Sequence, residues 1–548
     1  MKKFLLYFNI YVLLFLNLRV YFNQQFPYTH DGENHLVRFA NYKLAIKQGQ
    51  FPPRFAPNVN NGYGAPVFNY NYPLANILSL PFSYLKINYQ TTFKILVIVF
   101  LLMGILSINK IFHLFDFNDE ERFLGINIFL LSPYLINLIY FRGNIGEILA
   151  INLFIVVFYF LLKFQKFKEI TKKDRCLLIF YLVLFFHSHN ITALLGFFIL
   201  LLWVVIAYFN KWKKIGFILS HFVIALMMTS WFYLPAIFEK NLVLLDKVNI
   251  NNSFGQHLPR LSQLLFSPLE FGFSYISSVD SLSFSLNYLN VFLLVLFFSY
   301  FLVSLWQKQI IKEKFFLFSF FTCLFLFFCQ LALSSNFATN FFLKFIQFPW
   351  RLSLFFIVLS LFPAIFIYQK VQLFWQKIIV VVIFVQTFFL TSLKPADFFS
   401  KTNFDYEQSV ISTTTQNETN ATTFIYRDIG NNPRTPFFLN LPESFANFKI
   451  EVYNGSYRKY QVVASSSAIV IEPTMNFFGW ETKINGKKTN YLNNEIIAGR
   501  LAFEVPKGSW TIETKFTQKT ISRLVGNFIS LFTLIVYLSF CFYEKRRN

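Results

Sequence analysis

The residues of this chain with the means to do chemistry collect in four short strings. The first is His30-Asp31-Gly32-Glu33-Asn34-His35 with Arg38, followed by Pro52-Pro53-Arg54 and Gly62-Tyr63-Gly64. The others are Arg142-Gly143-Asn144 with Glu147, then His187-Ser188-His189-Asn190, and Gln347-Phe348-Pro349-Trp350-Arg351. A carboxylate such as Asp31 suits a general base or a metal ligand, with Glu33 or His35 assisting. It suits equally well the N-cap of the helix that follows, with Arg38 as its ion-pair partner. Helical spacing puts Asp31, His35, Arg38 and Tyr42 on one stripe and Leu36, Ala40 and Leu44 on the other. That pattern predicts an amphipathic helix lying on a membrane, its polar stripe turned away from lipid.

The later strings carry similar alternatives. The Arg142 guanidinium fork matches phosphate oxygens, or it pairs with Glu147 and pins a helix end. Glu147 lies a turn inside an apolar run and shares a face with Asn144, and ionisable groups at such depth face a cavity or a partner. His187 and His189 form an H-x-H that offers two metal ligands, or two hydrogen bonds in a turn. Arg351, after Pro349-Trp350, reads as a phosphate ligand or as an interfacial anchor beside the Trp.

The elements that must position these residues are membrane-spanning. Of 548 residues, 55% are hydrophobic and 79 are Phe, only 14% are charged, and mean hydropathy is +0.47, which together describe a polytopic membrane protein. The excess of 49 Lys and Arg over 27 Asp and Glu, a net +22, would suggest nucleic acid in a soluble chain. Here the basic clusters at 163–175, 210–214, 307–314, 369–377 and Lys545-Arg546-Arg547 are short segments between or after apolar runs. The positive-inside rule accounts for them, no reader motif is present, and no nucleic-acid partner is expected. The four cysteines lie in or beside apolar runs without a CxxC pair, which argues against an extramembrane staple, a zinc ribbon or a redox site.

Anchored on those loops, spans are expected near 4–22, 93–112, 123–141, 144–164, 176–188, 190–209, 215–236, 288–306, 314–334, 350–368, 376–393 and 522–543. That makes twelve, with both termini cytosolic and the first helix retained, since no small-x-small cleavage site precedes Asn23. The turn 113–122, with Asp116, Asp119, Glu120 and Glu121, is the least typical of a cytosolic loop. The run 72–86 is short and holds Pro73 and Pro81, so parity makes it dip into the outer leaflet within one external loop, 23–92. The alternative is that 72–86 spans and an adjacent pair such as 176–209 is miscounted. Residues 394–520 are rich in Asn, Thr and Ser, and alternate apolar with polar at 449–453, 459–463, 468–472, 500–505 and 510–516. The fold class is therefore an all-α polytopic membrane protein with a small external all-β domain, a sandwich by pattern, before the last helix. Its divisions are 1–393, 394–520 and 521–548.

The string His30–Arg38, with Gly49-Gln50-Phe51-Pro52-Pro53-Arg54 and Gly62-Tyr63-Gly64-Ala65-Pro66-Val67-Phe68, resembles the first-loop signature of a prokaryotic membrane family. That family is labelled "6-pyruvoyl-tetrahydropterin synthase-related membrane protein". Arg142–Glu147, His189-Asn190-Ile191-Thr192 and Gln347–Arg351 match its later motifs, so the resemblance covers about residues 1–395. Nothing here encodes the small pterin enzyme of that label. The architecture is similar instead to GT-C membrane glycosyltransferases. Asn476-Phe477-Phe478-Gly479-Trp480, Ile484-Asn485-Gly486-Lys487-Lys488 and 499–505 resemble the external β domain of transferases that decorate cell-wall polymers.

The resemblance implies a plasma-membrane enzyme that moves a sugar from a polyprenyl-phosphate donor to an envelope polysaccharide or glycolipid acceptor, with inversion. It implies Asp31 and Glu33 as catalytic acids and Arg38, Arg54, Arg142, Glu147 and Arg351 as the donor-phosphate site. His35, Asn144, His189 and Asn190 would be supporting residues. Asp31-x-Glu33 stands where a strict Asp-x-Asp would hold Mg or Mn, which leaves a divalent metal open. Two other classes remain: a transporter or flippase of a lipid-linked or anionic precursor, and a non-catalytic envelope assembly protein. The first would show inverted repeats and broken helices near mid-membrane. The second would tolerate Asp31→Asn and Glu147→Gln.

Overall fold

The computed structural model describes residues 1–59, 62–167, 169–240, 243, 254–274, 281–309, 311, 313–335, 337, 346, 348–408, 436–438, 446–492 and 499–542. Lys168, Gln347 and the basic tail 545–547 lie outside the described residues. The chain is mostly helical, with a separate small β region.

Eight helices are long and apolar enough to cross a bilayer: Lys2–Tyr21, Tyr89–Leu114, Ile145–Lys166, Asn190–Ala207, Tyr288–Trp306, Pro349–Tyr368, Leu373–Leu390 and Ile521–Phe542. Two bent pairs, Asp119–Leu130 with Pro133–Arg142 and Trp212–Met228 with Ser230–Phe238, raise the number to ten if each is one span. The other two expected spans are helices of 17 residues. Lys172–Ser188 opens on Lys172, Lys173, Asp174 and Arg175, which shortens its apolar length, and Lys314–Gln330 is apolar but short. By length and composition the described residues therefore support eight to ten spans where twelve were expected. That many apolar helices make this a membrane protein. Within 72–86, the helix Leu74–Tyr84 has 11 residues and rises about 16 Å, too little to cross a hydrocarbon core of about 30 Å.

The chain divides into two units. The first comprises Met1–Glu33, Phe93–Ala225 and Asn249–Ser400. Its central helix is Ile145–Lys166, apolar on every face and buried along nearly its whole length. Buried amides join helices distant in sequence: Asn9 Nδ2 donates to Asn127 Oδ1 (2.8 Å) and Thr387 Oγ1 (3.0 Å), and Asn290 Nδ2 donates to Ser360 Oγ (2.6 Å). Hydrocarbon offers such groups no water, so they bond to one another. The first bent pair breaks at Ser132-Pro133, where the proline has no N–H to continue the preceding helix, and the two halves meet at 48°. The second half widens into a π-helical turn over Leu138–Arg142 and stops at Gly143, with φ +61°.

The second unit comprises Asn34–Thr92, Leu226–Val248 and Lys401–Asn548, a grouping that a linear division at 393 and 520 does not contain. All five alternating segments are strands. One antiparallel sheet runs in the order Ala446–Tyr453, Tyr457–Ala464, Gly508–Phe516, Trp480–Ile484, Lys487–Lys488. A second runs Phe437–Phe438, Ala468–Met475, Arg500–Val505. Inward residues of both, among them Tyr460, Val462, Val470, Phe503 and Ile512, form one core, as in a sandwich. Residues of 34–92 are stitched to these strands: Gln50 Nε2 donates to Ser456 Oγ (2.7 Å), and Thr474 Oγ1 donates to the Tyr63 carbonyl (2.7 Å).

The helix Gly32–Lys47 corrects the expectation of a surface helix. His35, Arg38 and Tyr42 on the polar stripe are buried, and so are Leu36 and Ala40 opposite. Its polar residues find protein partners instead of water: Arg38 Nη1 donates to Asn71 Oδ1 (3.3 Å), and Asn41 Oδ1 accepts from the Asn58 N–H (2.9 Å). Periodicity alone does not separate a stripe that faces water from one that faces polar protein.

Candidate functional site

In the first unit, three of the four strings meet through side-chain contacts at the head of the Ile145–Lys166 helix. Asn144 caps that helix by accepting the Glu147 N–H at 3.0 Å. Its Nδ2 donates to Asp31 Oδ2 at 3.1 Å, so the cap residue also holds the carboxylate. Arg142 Nη2 lies 3.2 Å from Glu147 Oε1 and 3.8 Å from Asp31 Oδ2. Arg351 Nε reaches the same Glu147 Oε1 at 3.1 Å, and Tyr134 Oη donates to Oε2 at 3.2 Å. Two arginines thus share one fully buried glutamate, whose removal would take the same carboxylate from both cations. Beside this triad, the Asp31 side chain is 34% exposed. It is the carboxylate of the cluster that a solute can reach.

Backbone geometry locks Asp31 there. The His30 N–H donates to the Phe141 carbonyl (2.9 Å) and the Asp31 N–H to the Arg142 carbonyl (2.8 Å), so segment 30–31 lies along the end of the π-helical turn. Gly143 permits this approach. A Cβ at that position would stand 2.2 Å from Thr29 Oγ1, and its φ already lies in the left-handed region. Thr29 Oγ1 itself accepts the Gly32 N–H (3.1 Å), leaving the Asp31 side chain turned to Asn144.

Aromatic groups flank the charges. Trp350 and Phe348 stack at 4.5 Å, Arg142 sits 6.0 Å from the Trp350 ring and Arg351 5.2 Å from the Phe348 ring. These contacts shield the cations from water and strengthen whatever they hold. His30 stacks on Phe271 at 4.5 Å. Burial, aided by the nearby Arg142 cation, lowers its imidazole to about 4, so His30 is neutral at physiological pH.

His189 caps the Asn190–Ala207 helix, taking the Thr192 N–H on Nδ1 (3.2 Å), and stands within electrostatic range of Glu147. Asn190 is the first residue of that helix. His187 Nδ1 bonds back to the Val183 carbonyl at 2.9 Å, so the H-x-H serves local hydrogen bonding. Glu33 sits half-buried in the first turn of its helix. Among the described residues, no group of three or more His, Cys, Asp or Glu is placed to hold a metal. Asp31 and Glu33 offer two carboxylates, and Asp31 Oδ2 already faces Asn144 and Arg142. The pair is a poor fit for a metal cage.

His35, Arg38 and Arg54 belong to the second unit. Arg54 is fully buried, donates to the Trp231 carbonyl and lies 5.4 Å from the Trp231 ring, while its Nε and Nη1 have no hydrogen-bond partner. Burial, with Arg523 nearby, pulls its guanidinium down to about 9.

Sequence reading missed a buried ionic contact of that unit. Glu239 Oε2 accepts from Arg523 Nη2 (2.7 Å) and Nε (3.0 Å), and its Oε1 accepts from Thr520 Oγ1 (2.5 Å) and Ser522 Oγ (2.6 Å). Arg523 also donates to the carbonyls of Thr517 (2.8 Å) and Phe478 (2.7 Å) and stacks 5.0 Å from Phe516. The available signal was opposite charges at the ends of two apolar runs, Glu239 after 215–236 and Arg523 at the start of 522–543. Comparison with family models, with curated proteins and with solved structures finds no match to this chain.

Proposed function

We propose that this chain is a GT-C-type membrane glycosyltransferase that uses a sugar on a polyprenyl phosphate and glycosylates an acceptor of the cell envelope. The observation that carries the reading is a partly exposed carboxylate, Asp31, 3.8 Å from an arginine that shares a buried glutamate with a second arginine. Such a cluster supplies a base and a cationic anchor at one place. In the reaction, an acceptor hydroxyl oxygen bonds to the anomeric carbon as the bond from that carbon to the phosphate oxygen breaks. Asp31 takes the hydroxyl proton, and in-line attack inverts the anomeric centre. The departing polyprenyl phosphate gains negative charge, which Arg142 and Arg351 stabilise. Glu147 keeps both guanidinium groups in place, and Arg38 and Arg54 are left to structural work in the second unit. The twelve-span arrangement of this reading counts the two bent pairs and the two 17-residue helices as spans. It places both termini in the cytosol of a plasma membrane, with the β region and the site outside.

A second reading has one observation of its own. Helices broken as at Ser132-Pro133, next to buried charge, also occur in transporters of anionic substrates. One experiment separates the two. Purified full chain, wild type and Asp31→Asn, is incubated with a panel of polyprenyl-phosphate sugars, with and without Mg or Mn, and free polyprenyl phosphate is measured. Release by wild type and loss in Asp31→Asn is the expected result, and the metal arms show whether a divalent ion takes part. No release, with protein-dependent flipping of a labelled polyprenyl-phosphate sugar in vesicles, would overturn the transferase in favour of the transporter.

A further inference from the structure

The residue before Asp31 belongs to an aromatic cluster that the proposed chemistry does not use. His30 stacks on Phe271 at 4.5 Å with the rings 28° apart, and lies 4.9 Å from Phe273. Phe271 meets Phe273 edge-on at 5.4 Å and Tyr28 at 5.7 Å. The outer two rings are about half exposed, Tyr28 at 47% and Phe273 at 48%. Below them, the half-buried His30 ring lies against the Gly272 backbone. The same Phe271 borders a cavity of about 430 Å³ whose wall includes Glu270, Ser392 and Lys394.

Partly exposed aromatic rings, polar groups at the edge and an adjacent carboxylate match the two surfaces of a pyranose. Its axial C–H face packs on a ring, and its equatorial hydroxyls need donors and acceptors around it. We propose that Tyr28, His30, Phe271 and Phe273 form a saccharide platform that seats a pyranose ring beside Asp31. The proposal rests on the glycosyl-transfer reading for its purpose and stands on its own geometry for binding. The backbone bonds of His30 and Asp31 to the Phe141 and Arg142 carbonyls tie the platform to the charged cluster, so a bound ring and the carboxylate keep a constant separation.

The test is binding without catalysis. Full chain in nanodiscs is mixed with a panel of methyl hexopyranosides (gluco, galacto, manno and N-acetylglucosamine forms), and saturation transfer to the sugar ring protons is measured by NMR. Wild type should saturate the C–H face of at least one glycoside. Phe273→Ala should lower that transfer about fivefold, in line with the typical worth of an aromatic contact. Phe273→Leu keeps apolar bulk and removes the ring face, so it should lose as much while melting like wild type. The proposal is overturned if no glycoside in the panel shows transfer, or if Phe273→Leu retains wild-type transfer. It is also overturned if both variants bind glycosides normally but hold lipid less well, since the rings would then be a membrane-interface anchor. Glycoside binding with no polyprenyl-phosphate release from any donor would sink the transferase and leave the platform standing. Release with no ring dependence would do the reverse.

Discussion

Glu147 and Glu239 are both buried acids held by arginine, yet their surroundings are built to different ends. Glu239 is closed: both oxygens and its backbone carbonyl are occupied, with several contacts of 2.5–2.7 Å, and its arginine is itself bonded to two carbonyls. The contacts of Glu147 with its cations and tyrosine are longer, 3.1–3.2 Å, and one of its cations extends toward a partly exposed carboxylate. A saturated network gains nothing from a newcomer. A network with an exposed member can trade one weak contact for a ligand. Buried charge by itself therefore does not mark a functional centre, and an exposed edge on a buried network is the better sign.

The sharpest way to break this contrast is Asp31→Asn. Removing a general base should lower polyprenyl-phosphate release by roughly 10²–10⁴-fold with the melting temperature unchanged. An active Asp31→Asn would mean that the exposed edge is idle. Arg523→Met should act oppositely, leaving Glu239 buried and unpaired and costing about 3–5 kcal/mol of stability, read by thermal unfolding in detergent. If Arg523→Met folds normally but is inactive, the two clusters have exchanged roles.

A smaller effect is expected at Gly143→Ala, which adds a methyl against Thr29 where φ is already +61°. The left-handed backbone alone is worth about 1–3 kcal/mol, and release should fall with it because Asp31 loses its support. The smallest effect concerns pH. His30 is held near 4, below its ordinary 6.5, so between those values the unfolded chain binds more protons than the folded one. Stability should accordingly decline as pH drops from 6.5 toward 4. His30→Asn should flatten that part of the melting-temperature profile.

What the sequence made legible is what is local. Apolar runs became helices at nearly the expected limits, and alternating segments such as 459–463 and 510–516 became strands, because period and turn chemistry act over a few residues. The strand Trp480–Ile484 was missed: two of its five residues, Trp480 and Thr482, are buried and the rest are intermediate, so it shows no clean apolar alternation. Within the candidate site, the Arg142–Glu147 pair lies within five residues and was one of the two alternatives read for Arg142, whereas Asn144 was read only as sharing a face with Glu147 and its capping bond was not. The joining of Asp31 to Asn144, 113 residues away, and of Arg351 to Glu147, 204 away, was suggested only by the side of the membrane assigned to each string. The Glu239–Arg523 contact bridges 284 residues and left only a faint trace in the sequence. The Gly32–Lys47 helix shows the remaining gap, since its stripe predicts a polar neighbour without saying whether that neighbour is water.

The amide joint of Asn9 with Asn127 and Thr387 has a consequence for how the protein is made. The first helix reaches the bilayer long before its last partner exists, because Thr387 is translated 378 residues after Asn9. Until then, one side-chain donor in a lipid-embedded helix awaits its second acceptor, and the helix is only provisionally placed. Locking of the amino-terminal span is thus a late event in biosynthesis, gated by synthesis of Leu373–Leu390. A chain truncated before that helix should present its first span to the membrane quality-control machinery as an unfinished product.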